Sequence, residues 1–476
     1  MVRNILDDKQ FIQNADMLVF DEAHKLEENM RNIQIGEIQL EKIQKSLDKI
    51  EALMTNKYSQ DTITNIEEDN YLSAFFITLI NDFGTLFSNI RASASKNFFT
   101  LKEKMKNEED YSITDSDFIA FRITPKVLSS IIKLIKELNF LFNQISIYEK
   151  QSGHRIKTKE INYLYSILKQ LVDMSQKEDS EYIYWTSFYQ KNKINICYTP
   201  KENYKITQSI FSKEVPIIFT SGTLLDNQNT YKYFSEGMGL NQLTNRTIVY
   251  GDAQNSPYDY ENNSLFYYNP NIASPKEHDK YIKDLALEIS ELIKATEGKA
   301  LILFTSKKCM NEVYKLVTTE EYPFDILLQT ATNTAEIKEA FSQNTNSCLF
   351  ATGAFWEGID IKGKSLSNLI ITHLPFDQVD AINQYKASKY STKEQFKQVY
   401  FPNMLMKLEQ AVGRLIRSDT DTGIVCCLDS RFTFYKNAIS RNLPIKTYTT
   451  DKKDVYQFAD EKILEQHKDI HSKVLN

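Results

Sequence analysis

Residues 17–29 read MLVFDEAHKLEEN. An apolar run of four ends in two adjacent acids, Asp21 and Glu22, and opens into a stretch with helix-favouring composition. A strand that is apolar at every position is buried on both faces, which is the habit of a parallel strand covered by helices. The spacing therefore predicts an α/β sheet, with the acids at the carboxyl end of one of its strands. Adjacent acids at that place can divide labour at a nucleotide. Asp21 would hold a magnesium ion through water, and Glu22 would orient and deprotonate the attacking water. The competing reading is that they only favour the N-terminus of the helix that follows.

Downstream the pattern changes. EIQLEKIQKSLDKIEALM (37–54) sets Leu40, Ile43, Leu47, Ile50 and Met54 at alternating spacings of three and four, one apolar face of a helix. VLSSIIKLIKELNFLF (127–142) and INYLYSILKQLVDM (161–174) repeat it, and Pro125 stands where a helix start tolerates its missing N–H. Residues 28–180 are accordingly expected to form an all-helical insertion. Strand-like runs return at 181–189, 194–200 and 215–221. After residue 245 strands and helices alternate, with strands at KALILFTS, SCLFATG, SNLIITHLPF and GIVCCLD.

Near the C-terminal end, QAVGRLIR supplies Gln410, Gly413, Arg414 and Arg417. A continuous helix would put Gln410, Arg414 and Arg417 on one face. Paired guanidinium groups suit a γ-phosphate, which they grip bidentately and whose developing charge they offset. Taken alone, a solvated basic face explains them as well.

Together these segments resemble the DinG/XPD type of superfamily 2 helicases. Four more stretches match that family in order: TSGTLLD (220–226) its third motif, LILFTS (301–306) its fourth, residues 351–376 its fifth, and residues 410–432 its sixth. The resemblance implies two RecA-like lobes, made from 1–27 with 181–244 and from 245–476, around an arch-type insertion at 28–180. It implies ATP and Mg²⁺ as cofactors and single-stranded DNA as partner, with 5′-to-3′ movement. By motif position His24, Ser221 and Thr223 would couple nucleotide state to nucleic acid. Thr305 and Ser306 would approach backbone phosphates, although Ser306 is also a good cap for a helix starting at Lys307. Glu357, Gly358 and Asp360 would line the nucleotide side of the second lobe, with Gln410 and Gly413.

The family's phosphate-binding loop lies well upstream of its DEAH motif, and here little more than a helix and a strand precede Asp21. The first lobe is therefore expected to be incomplete, with the loop supplied from elsewhere, such as a separate chain. The alternative is a non-catalytic nucleic-acid-binding remnant. Gly358 to Ser365 (GIDIKGKS) matches the loop's letters, but it runs into a strand rather than a helix and places Asp360 in an anion cradle. RIKTK (155–159) reads as a solvated charge run.

Composition adds only bounds. The chain has 476 residues, 42% hydrophobic and 25% charged, enough for about three domains. A net charge of −6 neither advertises nor excludes nucleic acid, because a motor can grip phosphates in a local groove. Five scattered cysteines give no CxxC pair and hence no zinc ribbon or closed four-cysteine cluster. The resemblance implies that iron–sulfur cysteines, where the family has them, lie between the phosphate-binding loop and the DEAH motif, so no such cluster is expected in this chain. No run suits a membrane span or a secretory leader, so the cytoplasm is the expected compartment.

Overall fold

The acids of the DEAH segment hang from a short parallel pair. Strand β1 (Leu18–Phe20) pairs with β6 (Ile217–Phe219), with Leu18 opposite Ile217 and Phe20 opposite Phe219. The computed structural model describes residues 15–55, 74–75, 77–92, 119–120, 123–153, 158–175, 180–189, 193–211, 215–226, 230–252, 256–330, 332–356, 366–377 and 380–464. One side of the β1–β6 pair buries Leu18 and Phe20 against Met30, Ile210, Phe211 and Met238. On the other side Val19 and Ile218, opposite one another in register, remain 51% and 46% exposed.

The insertion is not all-helical. Its helices Leu40–Thr55, 77–92, Pro125–Ser152 and Lys159–Ser175 share one core, in which Leu40, Ile43, Leu47 and Ile50 are buried together. That core also takes in Ile38, Tyr184 and Ile196 from an antiparallel sheet. The sheet runs β2 (Gly36–Gln39), β5 (Lys193–Pro200), β4 (Tyr182–Tyr189), β3 (Ile119–Ala120). The strand runs at 181–200, expected in the first lobe, thus close over the helices instead. The physical reason is burial: the apolar stripes of several helices need a cover, and one face of an alternating sheet supplies it. Pro125 starts its helix as expected, behind a Thr124 cap that accepts from the Val127 N–H at 3.4 Å.

The second lobe carries the large sheet. Its strands are β7 (Ser264–Tyr268), β8 (Ala300–Phe304), β9 (Asp325–Leu328), β10 (Ser347–Thr352), β11 (Asn368–Ile371), β12 (Gly423–Cys427) and β13 (Tyr448–Thr449). They lie in the order β13-β7-β12-β11-β8-β10-β9, with every pair parallel. Helices cover both faces, and neighbouring residues of one strand enter different cores: Cys427 packs with Leu369 and Leu301, Cys426 with Ile370 and Ile302. Strand β12 must open on glycine, because a Cβ at Gly423 would meet the buried Leu415 side chain at 2.5 Å. Among the described residues no helix is long and apolar enough to cross a membrane.

Candidate nucleotide and nucleic-acid site

Strand β1 delivers Asp21 and Glu22 at its carboxyl end, where ligands of open parallel sheets bind. The chain does not pass straight into a helix there. Glu22 takes a left-handed conformation (φ 51°, ψ 43°), followed by a 3₁₀ turn, Ala23–Lys25, and then the helix Leu26–Gln34. A non-glycine residue in that region stores about 1–2 kcal/mol of strain. Its neighbours hold it: the Glu22 N–H donates to Asp21 Oδ1 at 2.9 Å, and the Ala23 N–H to the Thr220 carbonyl at 3.0 Å.

That turn swings His24 onto the third-motif loop. His24 Nδ1 lies 2.7 Å from Ser221 Oγ and 3.2 Å from Glu22 Oε2. With a proton on Nδ1 the ring can donate to the carboxylate; without one it can accept from the hydroxyl. Ser221 Oγ also accepts the Thr223 N–H at 3.2 Å, and Thr223 Oγ1 accepts from Gln410 Nε2 at 3.3 Å. Four residues from three distant parts of the sequence therefore form one hydrogen-bonded relay, from the DEAH turn to the helix Phe401–Val412 of the second lobe.

The expectation that Gln410, Arg414 and Arg417 share one helix face does not hold. The helix ends at Val412, and Gly413 to Leu415 form a turn. Asp421 Oδ2 then accepts the N–H groups of Arg417 and Ser418 at 2.8 and 2.9 Å. The chain has to reverse here to feed β12, and burying Leu415 and Ile416 fixes the reversal. Arg414 is only 8% exposed, with its guanidinium donating to the Phe355 carbonyl at 2.6 Å and the Trp356 carbonyl at 2.7 Å. Arg417 is half-buried.

Strand β8 ends at Phe304 and presents Thr305, which is exposed, and Ser306. Ser306 does cap the helix Lys307–Val317, accepting the Cys309 N–H at 3.4 Å. Glu357, Gly358 and Asp360 lie outside the described residues, as does the rest of GIDIKGKS. Thr158 and Lys159 are the described part of RIKTK. Among the described residues no cluster of three or more His, Cys, Asp or Glu side chains could hold a metal.

Sequence reasoning missed a largely buried charge cluster between the lobes. Lys386, on the helix Ala381–Ser388, reaches Glu27 Oε1 at 2.7 Å, and Arg31 approaches the same oxygen at 3.3 Å. Arg31 also donates to the Pro200 carbonyl at 3.0 Å, where the insertion returns to the first lobe. Burial works against the Glu27 carboxylate, but Lys386 and Arg31 outweigh it and hold its pKa below the usual range. Burial likewise works against the Lys386 ammonium, yet Glu27 pushes its pKa up to about 12. Close by, Glu202 accepts from Lys389 and from the Tyr385 hydroxyl, each at 2.7 Å. The partners come from opposite ends of the chain, so no local pattern announces them. One faint signal is Gly237, where a Cβ would strike the Glu27 carboxylate at 2.3 Å.

Residues 289–446 match the family described as Helicase C-terminal domain. The chain is 27% identical over 474 residues to the ATP-dependent DNA helicase YoaA of Haemophilus influenzae, covering 95% of this chain and 66% of that protein. It is 25% identical over 468 residues to the 3′-5′ exonuclease DinG of Staphylococcus saprophyticus, covering 95% of this chain and 50% of that one. The chain thus spans less than two thirds of the length of these curated relatives. Among solved structures an apo XPD overlaps 94% of this chain and 80% of its own, at a TM-score of 0.51 and 18% identity. Xpd4 of S. tokodaii overlaps 94% and 80%, with a TM-score of 0.50 and 14% identity, and these likenesses speak for the fold. Ordered motifs, the helicase C-terminal match and the curated relatives place the chain among the DinG/XPD-type superfamily 2 helicases.

Proposed function

We propose that the chain is the greater part of an ATP-driven motor that moves 5′ to 3′ along single-stranded DNA. A phosphate-binding loop from outside this sequence would complete it. The observation that carries this reading is the relay His24–Ser221–Thr223–Gln410, which connects the DEAH turn of one lobe to the sixth-motif helix of the other. A solvated basic face or a simple helix cap would need no such connection.

In this reading Glu22, held out at the end of β1, is the general base, and His24 beside it senses its charge. Asp21 is an exposed carboxylate at the strand end, a hard oxygen donor of the kind Mg²⁺ accepts. Asp21 would hold Mg²⁺ through water, and the ion would offset phosphate charge. Arg417 brings positive charge from the second lobe, and Arg414, whose fork is held by the Phe355 and Trp356 carbonyls, adds its charge without gripping phosphate through that fork. By motif position Glu357, Gly358, Asp360 and Gly413 would serve the nucleotide, and Thr305 and Ser306 would meet the DNA backbone.

The test is ATP turnover with and without single-stranded DNA, for this chain and for a fusion. The fusion would carry the part of the Haemophilus relative that precedes its matched region. Strand-stimulated turnover by the fusion, lost on Glu22→Gln, is the expected result. A fusion that binds ATP and DNA but never hydrolyses would leave the alternative, a non-catalytic nucleic-acid-binding remnant.

A further inference from the structure

We propose that Trp356 is a positioning residue tying the turn of Arg414 to the loop of Thr305 and Ser306; this rests on the nucleic-acid reading of that loop. The indole N–H donates to the Phe304 carbonyl at 2.8 Å, on the last residue of β8 before Thr305. The Trp356 carbonyl receives one arm of the Arg414 guanidinium, and the Phe355 carbonyl the other. The Trp356 N–H closes onto the carbonyl of Gly353 at 2.8 Å, a glycine with φ 54° that directly follows β10. The indole is 5% exposed and packs in the core with Phe355 and Leu366.

The indole bond and both guanidinium bonds are buried, so a lost partner there is not replaced by solvent. Arg414 stands four residues after Gln410, which touches Thr223. Two short connections therefore meet at the end of one helix and the turn that follows it. The first runs from the DEAH turn through Ser221 and Thr223 to Gln410; the second runs from Arg414 through Trp356 to Phe304. The guanidinium fork is suited to hold two adjacent carbonyls at once, which a lysine ammonium cannot do with the same geometry. Any movement of the sixth-motif turn pulls on the Phe355 and Trp356 carbonyls. The indole then transmits it to the end of β8, and so to the hydroxyls of Thr305 and Ser306. This is a physical contact chain whose coupling can be measured.

The chain has two tryptophans, so Trp185→Phe leaves Trp356 as the only indole emitter. In that background, titration with an oligothymidylate strand should shift Trp356 emission. Trp356→Phe keeps an aromatic ring but deletes the N–H donor, and should weaken oligothymidylate binding about fivefold. Ser306→Ala should also weaken it, and the double variant should bind no more weakly than the worse single, since both act through one loop. If emission is unmoved while the strand binds, or the two losses simply add, the tether is wrong and the loop's DNA role stands. If neither Ser306→Ala nor Thr305→Ala changes strand affinity, the nucleic-acid reading of the loop falls, and the tether with it.

Discussion

Glu409 precedes Gln410 on the sixth-motif helix, and burial alone pushes its carboxyl up to about 8. Between an ordinary glutamate pKa, about 4.3, and 8 the folded chain keeps a proton that the unfolded chain releases. Stability therefore falls as pH rises through that window, and this contribution is gone above about pH 8. Glu409→Gln should remove the slope, raising Tm by a few degrees above pH 8 with little change below the glutamate range. Thermal melts across the window check it, and parallel profiles for both proteins would refute it. The cysteines supply a second test at this scale. All five are free and buried, with burial lifting Cys197 to about 11 and Cys309 to about 12. A thiol-specific disulfide reagent should find no fast-reacting thiol in the native chain and five after denaturation. The adjacent pair was readable in the run GIVCCLD, because strand neighbours face opposite ways and cannot pair with each other. Arg414 was not readable in the same way. Its residue type suited a phosphate, but only the fold shows two backbone carbonyls already occupying its fork.

Among elements, the helix Ala381–Ser388 makes the most specific contact between lobes, through Lys386 and Glu27. Removing one member of a buried ion pair typically costs 3–5 kcal/mol, because the other is left charged and desolvated; with Arg31 still beside Glu27, Lys386→Met should cost about 2 kcal/mol. Adding Glu27→Gln should recover most of that loss in chemical denaturation. Two independent, additive losses would mean the contact carries no coupling. Elements also mark where periodicity stops informing. The stripe Leu40, Ile43, Leu47 and Ile50 was legible as a helix, since spacings of three and four fit one helix face and no strand. Strands β4 and β5 were recognisable, but their partner was not: alternation states which face is buried, never which strand lies alongside. Strand β13 has two residues and β9 four, too short for any period to register. The sixth-motif helix ends at Val412 with Gly413 as its C-cap, a stop signal that was present in the sequence but is easily overridden by the helix-sustaining leucine, isoleucine and arginines that follow. The reversal there is imposed from β12, by Gly423 and Leu415.

Across the whole molecule, cooperative strength should follow how completely each sheet is covered. The seven-stranded sheet is buried on both faces, with β8, β10, β11 and β12 buried at every position. The antiparallel sheet of the insertion packs one face on its helices. The pair β1–β6 has three residues in each strand and leaves Val19 and Ile218 open to water, a size that is marginal by itself. Native-state hydrogen exchange should therefore release amides at 18–20 and 217–219 first, those of β4 and β5 later, and those of β8 and β12 only on global unfolding. Equal protection at 217–219 and 300–304 would show that the first lobe is as well supported as the second. The fusion proposed for the ATPase assay extends this test. A segment that adds a strand beside β1 or β6, or covers Val19 and Ile218, must raise protection there and leave β8 unchanged. Restored turnover without such a rise would mean the loop reaches the nucleotide without completing this sheet. A rise without turnover would mean that the sheet can be completed while the relay through His24 and Gln410 stays idle.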